Sequence, residues 1–287
     1  MISVLIPTKN GGLPFVRCLQ GIRSQDVRDE VEIVVVDSGS TDGSVDHARA
    51  HGARVHEIPP SEFVHGATRN LAARISSGDT LVFTSQDAIP ADESWLRLLT
   101  SPLADPEVAA VYGRQLPHAD AAAAEEFFLD FMYGPAPRVQ RLSALEDLSF
   151  ERTLFSNANS AMRRADWEVN PFADDVEMSE DQEWSRRMLL QGKAIVYEPR
   201  AAVRHSHTYS LRDAYRRFHA SGVSSTRSYM QGTTSAVTLA RAMTRYGGAE
   251  LGWLWRSGRR RDIPYTIVYE LTKAAGLVSG MLAAKRR

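Results

Sequence analysis

Several polar stretches stand directly behind apolar runs in the first third of the chain. They are Pro7-Thr8-Lys9-Asn10, Asp37-Ser38-Gly39-Ser40-Thr41-Asp42, Pro59-Pro60-Ser61 and Ser85-Gln86-Asp87. At the end of a β-branched run, the Asp37 carboxylate can accept hydrogen bonds from a base or a ribose. The same segment equally reads as a polar turn with a helix cap, since Asp and Ser/Thr favour both. Further on, Ser179-Glu180-Asp181 opens a helical pattern, and His205-Ser206-His207 ends another apolar run. Carboxylates here can take a proton or hold a cation, and a neutral imidazole can ligate a metal. The bland uses are an acidic first turn facing the helix dipole and a structural histidine. No G-x-G-x-x-G and no G-x-x-x-x-G-K-[ST] follows the first run. That argues against a dinucleotide-binding dehydrogenase and a P-loop enzyme.

The elements that must position these residues follow from periodicity. Strands are predicted over Ile2–Ile6, Val31–Val36, Arg54–Ile58, Thr80–Thr84 and Val108–Tyr112, with helices near 13–25, 43–52, 66–77 and 92–103. Near-continuous β-branched strands alternating with helices imply an α/β fold, with a mostly parallel sheet sandwiched by helices. Ligands of such sheets bind at the carboxyl ends of the strands, where the polar stretches lie. Residues 114–178 show no clear period. A helix then runs from about Glu180 to Gln191, stopped by Gly192, followed by two short strands, Ala194–Tyr197 and Ala201–Arg204. From Leu211 a helical face is expected through Tyr215, Phe218, Gly222, Ser225 and Tyr229. The chain thus divides into an α/β domain over 1–210 and a helical extension over 211–287.

Composition adds the partners. With 43% hydrophobic and 24% charged residues the chain reads as an ordinary soluble protein. A single cysteine, Cys18, excludes an internal disulfide and fits a reducing compartment. The opening Met1-Ile2-Ser3-Val4-Leu5-Ile6 has no signal-peptide pattern, so a cytoplasmic protein is expected. The net charge of −1 hides a division: residues 200–287 carry 16 Lys and Arg against 4 Asp and Glu. Such asymmetry suggests a polyanionic partner. No RNA- or DNA-binding signature accompanies the basic region, which favours an anionic membrane surface over nucleic acid. Pro264 through Ala284 is apolar enough to approach the ~20 residues of a span. Glu270 and Lys273 in its middle make spanning costly. The flanks Arg259-Arg260-Arg261 and Lys285-Arg286-Arg287 suit a segment lying on the surface. Packing against the domain is the alternative.

The ordered series of motifs resembles the family 2 glycosyltransferases. It comprises Ser3-Val4-Leu5-Ile6-Pro7-Thr8-Lys9-Asn10, Val34-Val35-Val36-Asp37-Ser38-Gly39-Ser40-Thr41-Asp42, Gly66-Ala67-Thr68-Arg69-Asn70, Ser85-Gln86-Asp87-Ala88-Ile89-Pro90, Ser179-Glu180-Asp181-Gln182-Glu183-Trp184 and Ala201-Ala202-Val203-Arg204-His205-Ser206-His207. The Ser-Gln-Asp-Ala-x-Pro variant and the His-Ser-His ending look most like the rhamnosyltransferase-like branch. The resemblance implies a GT-A fold, a nucleoside-diphosphate sugar donor, a divalent cation (Mg²⁺ or Mn²⁺) and inversion at the anomeric carbon. It also implies a glycan or lipid-linked acceptor and a place in cell-surface polysaccharide or glycolipid assembly. It assigns Asp87 and His205 to the metal, with His207 the alternative to His205, and Asp181 to the general base. Thr8, Asp37, Arg69, Gln86, Asp87 and Trp184 would line the donor site. Arg69 would offer its fork to the diphosphate, and Trp184 would pack a sugar face or fill the core. This chain departs from the family's D-x-D, because Ser85 stands at the first acidic position. Asp174 and Asp175 are the next carboxylates to consider as base.

Overall fold

The computed structural model describes residues 1–176, 178–227 and 236–285. The first half follows the predicted alternation. Strands β1 (Ile2–Thr8), β2 (Val31–Asp37), β3 (Arg54–Glu57) and β4 (Thr80–Thr84) pair in parallel in the order β3-β2-β1-β4. They are linked by helices α1 (Gly12–Arg23), α2 (Ser44–Ala50) and α3 (His65–Ile75). Both faces are covered, which is why the strands read as unbroken apolar runs. Val4, Ile6, Ile33 and Val35 point into a core with Phe15, Leu19 and Trp95. Leu5, Val34 and Val36 point the other way, into a core with Phe83, Phe155, Trp184 and Tyr197.

The second half departs from an all-parallel reading. After the two-residue β5 (Ile89–Pro90) and α4 (Trp95–Thr100) comes the long β6 (Val108–Leu116). The stretch without a period holds α5 (Ala123–Met132), β7 (Arg138–Gln140), α6 (Phe150–Thr153), β8 (Asn159–Arg163) and α7 (Arg164–Val169). Strand β8 lies in mid-sheet, antiparallel to both β4 and β6. The two late strands are one, β9 (Ala194–Arg204), parallel to β6 with a register shift after Gly113. The Glu198/Arg200 ion pair sits where the sequence suggested a break.

Register gathers the expected site on one rim. Thr84, the last residue of β4, faces Asn159, the first of β8, so the chain entering β8 and the chain leaving β4 share an edge. Asp181, near the start of α8 (Glu180–Leu190), is fastened to that entry. The two-residue β5 pairs Ile89 with Arg204, tying the loop of Asp87 to the segment that carries His205.

The extension forms α9 (Leu211–Arg227), α10 (Ala236–Arg256) and α11 (Ile263–Lys285). Its expected face holds in the second half, where Gly222 and Ser225 are buried and Phe218 half-buried, but at the start Ala214 is buried while Leu211 and Tyr215 are exposed; Tyr229 lies outside the described residues. Helices α9 and α11 approach backbone to backbone. A Cβ on Gly222 would run into the Leu277 carbonyl, and one on Gly280 into the His219 carbonyl. The extension also joins the α/β domain, through Ala124, Ala214, Tyr209 and Tyr269 and through a 2.8 Å Arg259–Glu126 ion pair. Lys273 is turned inward, 2.6 Å from Glu270 and ringed by Phe128, Phe218, Tyr246 and Tyr269. The outer face of α11 keeps Val268, Leu271, Val278 and Leu282 exposed, with Tyr265 and Ile267 beside them. By length and composition Arg260–Lys285 is apolar enough to cross a membrane, at mean hydropathy 1.2.

Candidate active site

Asp87, His205 and His207 offer ligand atoms that all lie within 4.8 Å of one another. His205 Nε2 is 3.4 Å from Asp87 Oδ1, His207 Nδ1 is 3.7 Å from Asp87 Oδ2, and the two Nε2 atoms are 3.0 Å apart. The orientation of His205 is set from behind. Its Nδ1 is 2.7 Å from Gln115 Oε1, while the Gln115 amide donates to Ser156 Oγ. An acceptor at Nδ1 places the ring proton there, so a neutral His205 turns a bare Nε2 toward the carboxylate. Lone pairs facing a carboxylate in this way require a cation between them, either a proton or a metal ion.

The charges agree with that requirement. Burial opposes ionisation of Asp87, but the hydrogen bond and charge of His205, aided by His207, outweigh it and bring the carboxyl down to about 2. Burial, and then the neighbouring His205, hold His207 down to about 4, so it is neutral and ready to ligate at pH 7. Both histidines therefore face Asp87, where one was expected. One carboxylate and two imidazoles suit a first-row divalent cation that also takes phosphate oxygens. The residues present fit such an ion.

Asp181 stands half-buried at this rim. Its Oδ2 accepts from the Asn157 backbone N–H at 3.1 Å and its Oδ1 from that of Gln182 at 2.8 Å. Burial, then the negative charge of Glu180, raise its carboxyl to about 7, against the pull of Arg69 and these two N–H groups. A carboxylate with that affinity can receive a hydroxyl proton at neutral pH. The residue leading into α8, Ser179, holds a left-handed φ of 67°. Such strain in a non-glycine residue collects where geometry is over-determined by its surroundings.

Other expected donor residues have partners of their own. Arg69 is 7% exposed, and its Nη1 lies 2.7 Å from Glu180 Oε1, so its fork is turned to a carboxylate inside the protein. Glu180 is correspondingly buried, not a surface charge serving the helix terminus. Asn70 bonds the Phe172 carbonyl and Asp174, and accepts from Trp167. The Arg69-Asn70 pair thus moors the segment before α8, and Gly66 lets it come close, since a Cβ there would strike the Ala173 carbonyl. Trp184 is fully buried against Phe155 and Phe172 and donates to the Asn170 carbonyl, so it fills the core and cannot meet a sugar. Asp37 is buried and accepts from the backbone N–H groups of Gly39 and Ser40 and from the Ser40 hydroxyl. Thr8 is buried beside it and accepts from Ser38 through its carbonyl. Gln86 bridges to the Lys9 backbone as both acceptor and donor, joining the loops after β4 and β1. Asp174 is engaged by Asn70. Two residues of the site escaped the sequence reading, Gln115 and Asn157. A polar residue at the end of an apolar strand was the signal for Gln115, hidden because that strand was ended at Tyr112.

Comparison with known proteins accords with this arrangement. Residues 3–164 match the family model "Glycosyl transferase family 2". The chain is 34% identical over 225 residues to the O-antigen chain rhamnosyltransferase RfbN of Salmonella typhimurium, covering 77% of this chain and 71% of that one. It is 33% identical over 223 residues to the O-antigen chain rhamnosyltransferase WbaN of Salmonella anatum, with the same coverage. Among solved structures, the mannosyltransferase PcManGT of Pyrobaculum calidifontis, in complex with GDP-Man and Mn²⁺, superposes with TM-score 0.66 at 18% identity. That match covers 99% of this chain and 86% of the other. The likeness shows the GT-A fold that the motifs implied. With this fold, this family match and these relatives, the chain belongs to the family 2 glycosyltransferases, in their rhamnosyltransferase-like branch.

Proposed function

We propose that this glycosyltransferase moves L-rhamnose from a nucleoside-diphosphate donor to an acceptor hydroxyl, with inversion, during assembly of a cell-surface glycan such as an O-antigen chain. The observation that carries the chemistry is the Asp87–His205–His207 cluster on the same rim as the half-buried carboxylate of Asp181. Two O-antigen rhamnosyltransferases among the relatives support the choice of sugar. Asp181 takes the acceptor proton as the acceptor oxygen bonds to the anomeric carbon and the carbon–diphosphate bond breaks, the electron pair leaving with the diphosphate. Asp87, His205 and His207 would hold a divalent cation, which as a Lewis acid supplies stabilisation of the departing diphosphate. Two imidazoles favour Mn²⁺ over Mg²⁺, because imidazole is a poor ligand for the harder ion. Asp37 and Thr8 shape the loop that faces the nucleoside. The experiment is transfer and thermal stabilisation with a panel of nucleotide sugars, with and without Mn²⁺. Rhamnose donors should raise the melting temperature and turn over only with metal; preference for another hexose donor would refute the sugar assignment.

The outer face of α11 supports attachment to the membrane that carries a lipid-linked acceptor. Val268, Leu271, Val278 and Leu282 form an exposed apolar row, and Arg259, Arg260 and Arg261 stand at one end with Lys285 at the other. The Arg260 guanidinium lies 3.8 Å from the ring centre of exposed Trp255, an amphipathic pair suited to the headgroup level. Leu271→Glu with Val278→Glu should reduce binding to phosphatidylglycerol-containing vesicles at least tenfold. Wild-type binding should fall with salt by about 1 kcal/mol per basic contact screened. Unchanged vesicle binding by the folded double variant would remove this attachment.

A further inference from the structure

The departing diphosphate would carry more negative charge than a metal ion held in the cluster could neutralise. A divalent cation held by one carboxylate and two neutral imidazoles leaves a single net positive charge, against a leaving group that gains charge as the bond breaks. Arg69, expected to serve there, is turned to Glu180 inside the protein. Arg259 and Arg245, which join the extension to the domain, are paired with Glu126 and Glu151.

A different arginine reaches the rim from the extension. Helix α9 crosses beside the site, with Ser221 Oγ 3.2 Å from Met178 Sδ on the segment that leads into α8. On this helix the exposed Arg217 lies over Tyr209, with its guanidinium carbon 5.3 Å from the ring centre. The Tyr209 ring in turn lies 5.5 Å from that of His207, which meets His205 edge-on at 4.6 Å. Arg217 therefore stands one aromatic ring away from the metal cluster, and it closes no ion pair among the described residues. Its charge also reaches the half-buried Glu125 carboxylate on α5, with which it closes no ion pair. An exposed guanidinium one ring away from the metal cluster can close on phosphate oxygens in bidentate fashion.

We propose that Arg217, on the C-terminal extension, is the side chain that grips the donor's diphosphate beside the metal cluster. This rests on the reading of the chain as a nucleoside-diphosphate-sugar transferase. It makes the extension a wall of the donor site, so that α9 belongs to the transferase machinery as well as to the membrane-facing bundle.

The test is calorimetric binding to the full chain of inorganic pyrophosphate and of dTDP, UDP and GDP, each with Mn²⁺. Pyrophosphate reports the grip without any contribution from the base. Arg217→Ala should weaken pyrophosphate, and whichever nucleoside diphosphates the wild type binds, by 10- to 100-fold. Mn²⁺ binding without phosphate should stay at the wild-type value, a readout that separates direct contact from support of His207. Arg217→Lys should recover part of the loss, since it keeps the charge without the fork. Arg216→Ala, on the same exposed stretch of α9, should remain within twofold of wild type. Pyrophosphate binding by folded Arg217→Ala within twofold of wild type would overturn the inference while leaving the transferase reading intact. Loss of Mn²⁺ binding in that variant would overturn it too, because Arg217 would then be supporting the cluster. A wild type that binds no diphosphate with Mn²⁺ would overturn the transferase reading along with it.

Discussion

Asp181→Asn is expected to fold normally, bind metal and donor as the wild type does, and transfer sugar 10²- to 10⁴-fold more slowly, the usual worth of a positioned general base. Asparagine keeps the shape and an acceptor oxygen for one of the two N–H groups, of Asn157 and Gln182, that bond separate carboxylate oxygens, but cannot take a proton. The loss should appear in kcat with KM for the donor preserved. A second signature comes from pH. With its carboxyl raised to about 7 by burial and by Glu180, Asp181 must lose its proton to act. The wild-type kcat/KM should therefore rise with pH through about 7 and level off above it. Glu180 gives the contrast. Its carboxylate is buried against Arg69 at 2.7 Å, so Glu180→Gln leaves a buried guanidinium without its partner. Breaking such a pair costs about 3–5 kcal/mol, which calorimetry would read as a markedly lower melting temperature. Removing the Glu180 charge should also shift the acidic limb of the surviving activity to lower pH. Near-normal turnover by Asp181→Asn would move the base elsewhere, with Asp175 the first alternative, since Asp174 is held by Asn70.

Metal removal should have an effect at least as large. Transfer should cease in excess chelator and return with Mn²⁺. Asp87→Ala and His205→Ala should each abolish metal-dependent donor binding, because either removes a ligand from a cluster no wider than 4.8 Å. Gln115→Leu is the more discriminating variant. It leaves every ligand in place but removes the acceptor that fixes the His205 proton on Nδ1. Loss of such an outer partner typically weakens metal binding 10- to 100-fold. Full turnover by verified metal-free protein would refute the metal assignment. Unchanged metal affinity in Gln115→Leu would show that His205 does not depend on it for orientation.

The two halves of the sheet were not equally legible in the sequence. Strands β1, β2 and β4 are buried on both faces, and that burial writes continuous β-branched runs that periodicity reads directly. Strand β8 escaped because its sequence, Asn159-Ser160-Ala161-Met162-Arg163, carries polar residues that the fold satisfies in detail. Asn159 accepts from Trp95 and donates to the Ala201 carbonyl, and Ser160 donates to Asn157. Strand β5 is too short for any period. Among site residues, Asp87, His205 and Asp181 stood out because motif order singles out residue types at element ends. Sequence could not say which way Arg69 and Trp184 point, because a buried ion pair or a packed indole is a tertiary event. His207 was visible, but its place beside His205 depends on the path of the chain after β9.

The pairing of Ile89 with Arg204 has a consequence for the order of events during synthesis. Asp87 leaves the ribosome long before His205, and no local contact joins them until β9 has entered the sheet beside β6. Contacts so distant in sequence form late, because the chain must first lose the entropy of closing the long loop between them. A nascent chain can thus complete its parallel β3-β2-β1-β4 layer while it still lacks two members of the Asp87–His205–His207 cluster.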